Sequence, residues 1–99
     1  MQDITVTELK EYIDSQKDFI LIDVREPYEF QAYNIGGYLI PLATLQHAIE
    51  EWTELKDKEF VVICRSGARS AAAKNFLEYI GFANVRNLLG GLLEWQSKF

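Results

Sequence analysis

A lone cysteine, Cys64, excludes an intrachain disulfide and any multi-cysteine metal site. Long apolar runs are missing too. The longest, "FILI" at 19–22 and "FVVI" at 60–63, are far too short to span a bilayer. The opening stretch "MQDITVTELK" lacks the basic start and long apolar core of a secretory signal, so a cytoplasmic protein is expected. Basic residues are outnumbered 15 to 10, and the formal charge is −5. That balance opposes non-specific attraction to nucleic acid or an anionic membrane, and neither is expected as a partner. Repeats, low-complexity segments and linkers are absent. What remains is ordinary globular composition, 48% hydrophobic and 25% charged. Ninety-nine residues then fit one small domain, 1–99, with a single core.

Strand-like and helix-like patterns alternate along the chain. Thr5 and Glu8 have capping-box spacing and Ile4 and Leu9 that of a hydrophobic staple, predicting a helix through Leu9, Tyr12 and Ile13. "FILIDV" (19–24) and "EFVVIC" (59–64) read as strands buried on both faces of a sheet. Pro27 suits the first turn of a short helix, Pro27 to Gln31. A Gly-Gly turn, a short strand near Tyr38 to Ile40 and Pro41 follow. Leu45, Ala48, Ile49 and Trp52 predict a helix from about Thr44 to Glu54. Ala68 to Ile80 is helical, with Ala72, Ala73, Phe76, Leu77 and Ile80 on one face and Gly81 just past its end. "NVRNL" is a candidate last strand and "GGLLEWQSKF" a closing helix. This alternation specifies an α/β domain with a small, largely parallel central sheet flanked by helices.

In such sheets, sites lie beyond the carboxyl ends of the strands. Two strands end in polar clusters: Asp23 to Glu26, and Cys64 to Ser70. Alone, a cysteine after an apolar strand is most often a small buried hydrophobe. Cys64, however, is followed within five residues by Arg65, Gly67, Arg69 and a helix start. A loop curling from a strand end into a helix turns successive backbone N–H groups toward one point, and the helix dipole adds to it. A cysteine at the first position of that loop is held as a thiolate of lowered pKa. Arg65 and Arg69 add forked donors suited to an oxyanion such as sulfonate, sulfate or phosphate. Gly67 permits the tight path.

The "CRSGARS" loop resembles that of the rhodanese family, whose single-domain sulfurtransferases read C-R-x-G-x-R before a helix. "LIDVREPYEF" is similar to the family's D-V-R-E-x-x-E-F segment, "IPL" to its strand end, and "LLGGLLEW" to its G-G-x-x-x-W. The four stretches occur in the family's order and span nearly the whole chain. The resemblance implies a rhodanese-like fold and sulfur transfer without a cofactor or metal. Cys64 would be the catalytic nucleophile, taking sulfane sulfur from thiosulfate or a persulfide to become a persulfide itself. Cyanide, a thiol or a thioredoxin-like protein would then accept it. Backbone N–H groups from Arg65, Ser66, Gly67, Ala68, Arg69 and Ser70 would stabilise the persulfide, and the Arg65 and Arg69 side chains would hold the donor's anion. The spacing is C-x4-R, whereas related phosphatases and arsenate reductases use C-x5-R; Ser70 stands where their arginine would be. Those enzymes and a non-catalytic interaction or sensor module are the alternatives.

Asp23 and Arg25 either support the site or form a purely structural cluster, the second being the favoured reading. Arg25 and Glu29 are spaced to pair across the short helix, and Asp23 to orient the loop by accepting hydrogen bonds. His47, among Gln46, Glu50 and Glu51, reads as a solvated helix residue, and Trp52 and Trp95 as packing residues. One stretch departs from the family. Tyr33-Asn34-Ile35-Gly36-Gly37-Tyr38 replaces G-H-I-P-G-A. Gly36 then carries more backbone freedom than proline, and Tyr38 must find space for its ring.

Overall fold

Two continuous apolar runs lie side by side at the centre of a four-stranded sheet. The computed structural model describes residues 1–99. In chain order the elements are α1 (Val6–Asp14), β1 (Ile20–Asp23), α2 (Pro27–Ala32), β2 (Tyr38–Leu39), α3 (Leu45–Ala48), β3 (Glu59–Ile63), α4 (Ala68–Tyr79), β4 (Asn84–Asn87) and α5 (Gly91–Lys98). All strand pairs are parallel, in the order β2-β1-β3-β4. β1 and β3 pair from Ile20↔Phe60 to Asp23↔Ile63, so their carboxyl ends finish level. The chain winds outward in opposite directions from these two strands, which makes their ends the switch point where a crevice opens.

Period-two alternation sorts the side chains. Ile22, Val24, Phe60, Val62 and Cys64 pack with Leu45, Ile49, Ala73, Leu77 and Phe82 on one face. Leu21, Val61 and Ile63 pack with Ile4, Val6, Leu9, Leu92 and Trp95 on the other. Helices therefore cover both faces. The capping box at Thr5 forms in full: Thr5 Oγ1 accepts from the Glu8 N–H, and Glu8 accepts from the Thr5 N–H. No helix is long and apolar enough to cross a membrane.

The helix expected over Thr44–Glu54 is a correction. Only Leu45–Ala48 is α-helical, between 3₁₀ turns at Leu42–Thr44 and Ile49–Leu55. Trp52 breaks the path at φ −110°, ψ 17°, and its indole meets Tyr38 edge-on at 5.0 Å and Phe60 at 6.1 Å. That contact also finds the space Tyr38 needed. In α4, Ala72 is exposed, and the buried stripe begins instead at Ser70, followed by Ala73 and Leu77. Side-chain stripes on a helix recur at three and four residues, so Ser70 extends that row to the loop. Gly36 adopts φ +94°, which proline cannot reach, and the Asn34 amide ties the turn to Phe30 O and the Gly36 N–H.

Candidate active site

At the end of β3 the chain must leave the sheet and enter α4 within four residues. Gly67 makes this possible at φ +106°, immediately before the first helical residue, Ala68. The curl folds the loop back over Cys64, whose side chain is buried. Sγ accepts from the Gly67 N–H at 3.1 Å and the Ser70 N–H at 3.4 Å, with Ser70 Oγ at 3.2 Å. Burial pushes the thiol pKa up. Donation from the Ser70 hydroxyl and from the N–H groups of Ser70, Gly67 and Ser66 outweighs it and leaves the pKa below its ordinary value. Sulfur thus faces converging donors while no cationic side chain bonds it.

The α5 N-terminus holds the loop from behind. The Leu92 and Leu93 N–H groups donate to the carbonyls of Cys64 and Arg65, at 2.9 and 3.0 Å. A trans peptide points its C=O and N–H in opposite directions, so anchoring the Arg65 carbonyl on α5 aims the Ser66 N–H at the sulfur side. The approach requires glycine. A Cβ on Gly91, at φ +61°, would lie 2.4 Å from Arg65 O. This is the physical content of the Gly-Gly pair in "LLGGLLEW".

Asn87 is a buried polar residue at the end of β4 that sequence reasoning missed. Its Nδ2 donates to Gly67 O at 3.2 Å, which leaves Oδ1 facing Ser70 Oγ. Ser70 has one hydroxyl proton and three acceptors in reach: Asn87 Oδ1, Gly67 O and Sγ. A charged sulfur draws that proton most strongly, because charge-assisted hydrogen bonds exceed neutral ones. No pattern in "NVRNL" marks Asn87; the contact spans 17 residues.

The neighbouring cluster departs from expectation in two respects. Arg25 does not pair with the Glu29 carboxylate. It forks onto Asp23, Nε at 3.0 Å and Nη2 at 2.9 Å, and donates to the carbonyls of Tyr33 and Glu29. Asp23 is saturated by Arg25 and its N–H, and accepts nothing from the Cys64 loop. The carboxylate Arg25 leaves free belongs to Arg69, which donates to both Glu29 oxygens at 2.6 and 2.9 Å. Donation from Arg69 drives the Glu29 pKa down to about 2, and the same pairing raises that of Arg69. Arg65 is exposed and forms no ion pair. Among the remaining expectations, His47 projects into solvent and Trp95 is buried. No group of three or more His, Cys, Asp or Glu side chains is arranged to hold a metal. A cavity of about 340 Å³ lies between α4 and the 3₁₀ turn, lined by Ile49, Lys56, Phe76 and Phe82 among others, with no residue of the Cys64 loop.

Known proteins share this chain's sequence pattern and fold. The family model described as a rhodanese-like domain matches residues 5–98. The putative sulfurtransferase YtwF of Bacillus subtilis is 36% identical over 102 residues, covering 99% of this chain and 93% of that one. The probable adenylyltransferase/sulfurtransferase MoeZ of Mycobacterium tuberculosis is 34% identical over 96 residues, 96% of this chain but only 24% of that protein's length. A rhodanese-like domain protein from Staphylococcus aureus superposes with a TM-score of 0.84 at 30% identity, covering 96% of this chain and 91% of that one.

Proposed function

Since the chain belongs to the rhodanese-like domain family, we propose that it transfers sulfane sulfur through a persulfide on Cys64. The observation that carries this reading is the convergence of the Gly67 and Ser70 N–H groups and the Ser70 hydroxyl on a buried sulfur. Such a cradle favours a thiolate without a general base. The thiolate attacks the outer sulfur of a donor. With thiosulfate, the donor S–S bond breaks, its electron pair leaves with sulfite, and a new S–S bond forms on Cys64. The outer sulfur of the persulfide then sits at the mouth of the loop, stabilised by the N–H groups of Arg65 to Ser70. A thiolate or cyanide attacks it and restores the Cys64 thiolate.

Arg65 supplies the unpaired positive charge for the donor's anion. Arg69, while joined to Glu29, brings hydrogen-bond donors but little net charge. In a cell the partners are a small sulfur donor, thiosulfate or a persulfide, and a thiol acceptor such as a thioredoxin-like dithiol protein. The likeness to MoeZ supports a role in delivering sulfur to another component.

Intact mass after incubation of the reduced protein with thiosulfate tests the proposal. A gain of one sulfur atom on Cys64, discharged by cyanide, is expected. Cys64→Ser should lose turnover by at least about a thousandfold. Failure of the reduced wild type to gain sulfur from thiosulfate or any persulfide overturns the reading.

A further inference from the structure

The resemblance assigns Arg69 to the donor, yet the structure gives its guanidinium to Glu29. The pair is bidentate, and the Glu29 side chain is only 15% exposed. Glu29 is itself fixed, since Oε1 accepts the Glu26 N–H at 3.0 Å as part of the α2 capping box. A preset carboxylate therefore holds the residue that immediately precedes Ser70, whose N–H and hydroxyl both face the sulfur. An incoming dianion meets a cation already neutralised. It must either draw Arg69 from Glu29, leaving an unpaired carboxylate beside its own charge, or dock without Arg69. A donor of lower charge avoids both costs.

We infer that Glu29 is a specificity-determining residue, and that by closing an ion pair on Arg69 it turns the loop away from dianionic sulfur donors and toward donors carrying at most one negative charge near the sulfane sulfur. This rests on the sulfur-transfer reading for its substrates. Alkyl persulfides belong to the favoured class. Cys64 S⁻ attacks the outer sulfur of R–S–SH, the donor's S–S bond breaks, RS⁻ leaves with the electron pair, and Cys64–S–SH forms.

The test compares two donors that differ by one charge, thiosulfate and methanethiosulfonate, which releases methanesulfinate. Their second-order rates of sulfur loading onto Cys64 are measured for wild type and for Glu29→Gln, whose carbonyl still accepts from Glu26. The thiosulfate-to-methanethiosulfonate ratio is expected to rise about fivefold in Glu29→Gln, and to fall in Arg69→Gln, which leaves Glu29 unbalanced. An unchanged or lower ratio in Glu29→Gln overturns the inference, because Glu29 would then be aiming Arg69 at the anion. Alkylation of Cys64 by iodoacetate relative to iodoacetamide needs no sulfur transfer and should rise about threefold in Glu29→Gln. If neither donor loads sulfur, the sulfur-transfer reading falls while this alkylation ratio still decides the charge role of Glu29: a rise upholds it, and no change removes it.

Discussion

β1 and β3 end side by side, yet the two loops that follow treat charge in opposite ways. After β1, Asp23 is fully buried and every hydrogen bond to its carboxylate comes from Arg25 two residues on. The charge is cancelled where it stands, and the guanidinium's remaining donors tie down the carbonyls of Tyr33 and Glu29. After β3, Cys64 is equally buried but is met by backbone N–H groups and one hydroxyl, with no ion pair. A side-chain ion pair is complete in itself and leaves nothing for a ligand. Converging N–H groups cannot neutralise one another, so they keep their attraction for any charge that develops on the sulfur. The first loop is a brace and the second a cradle.

The largest effect should come from breaking the brace. Arg25→Ala leaves a buried carboxylate without its partner and should cost about 3–5 kcal/mol in urea unfolding. The matching change behind the cradle is Gly91→Ala, where a positive φ and a Cβ 2.4 Å from Arg65 O act together. It should cost about 3 kcal/mol and slow Cys64 alkylation, because the loop must shift from α5. If Arg25→Ala slowed alkylation as much as Gly91→Ala does, the two loops would be one unit and the contrast would fail.

Smaller changes sharpen it. Ser70→Ala removes one donor to sulfur, and the midpoint of the pH–alkylation profile should move up from the lowered wild-type position toward the ordinary thiol value. The link between the loops, Glu29 to Arg69, gives the smallest effect. The Glu29 pKa is lowered from 4.5 to about 2, so its stabilisation is complete above pH ~4.5 and is lost as the pH falls toward 2. With Arg69 partly solvent-exposed, about 1 kcal/mol is expected after screening. Acid titrations of wild-type and Glu29→Gln stability should converge over that window and run parallel above it.

Local rules were legible where the partners lie within a few residues. The Thr5–Glu8 box, Pro27 opening α2 and the strand–loop–helix around Cys64 needed no distant information. The same reasoning erred at Ala72 and at Thr44–Glu54. Spacing of 3 and 4 is compatible with an α-helix or with 3₁₀ turns, and the seat of Trp52 against Tyr38 and Phe60 decided between them. It erred again at Arg25, for which Asp23 and Glu29 were both within reach in sequence. Burial at the strand end chose Asp23, because an unpaired carboxylate there would be far more costly than one on α2.

The order of residues from Cys64 to Ser70 by itself determined a short glycine-bearing turn into a helix, and with it a sulfur surrounded by N–H groups, because peptide geometry and a permissive φ at Gly67 act within the loop. Only the tertiary structure decided which carbonyls α5 would turn aside, that Asn87 would share the Ser70 proton, and that Arg69 would meet Glu29 rather than stand free. Those contacts join residues 17 to 40 positions apart or reach from another helix. Their free energy depends on which ends the parallel sheet brings level, which no local pattern encodes.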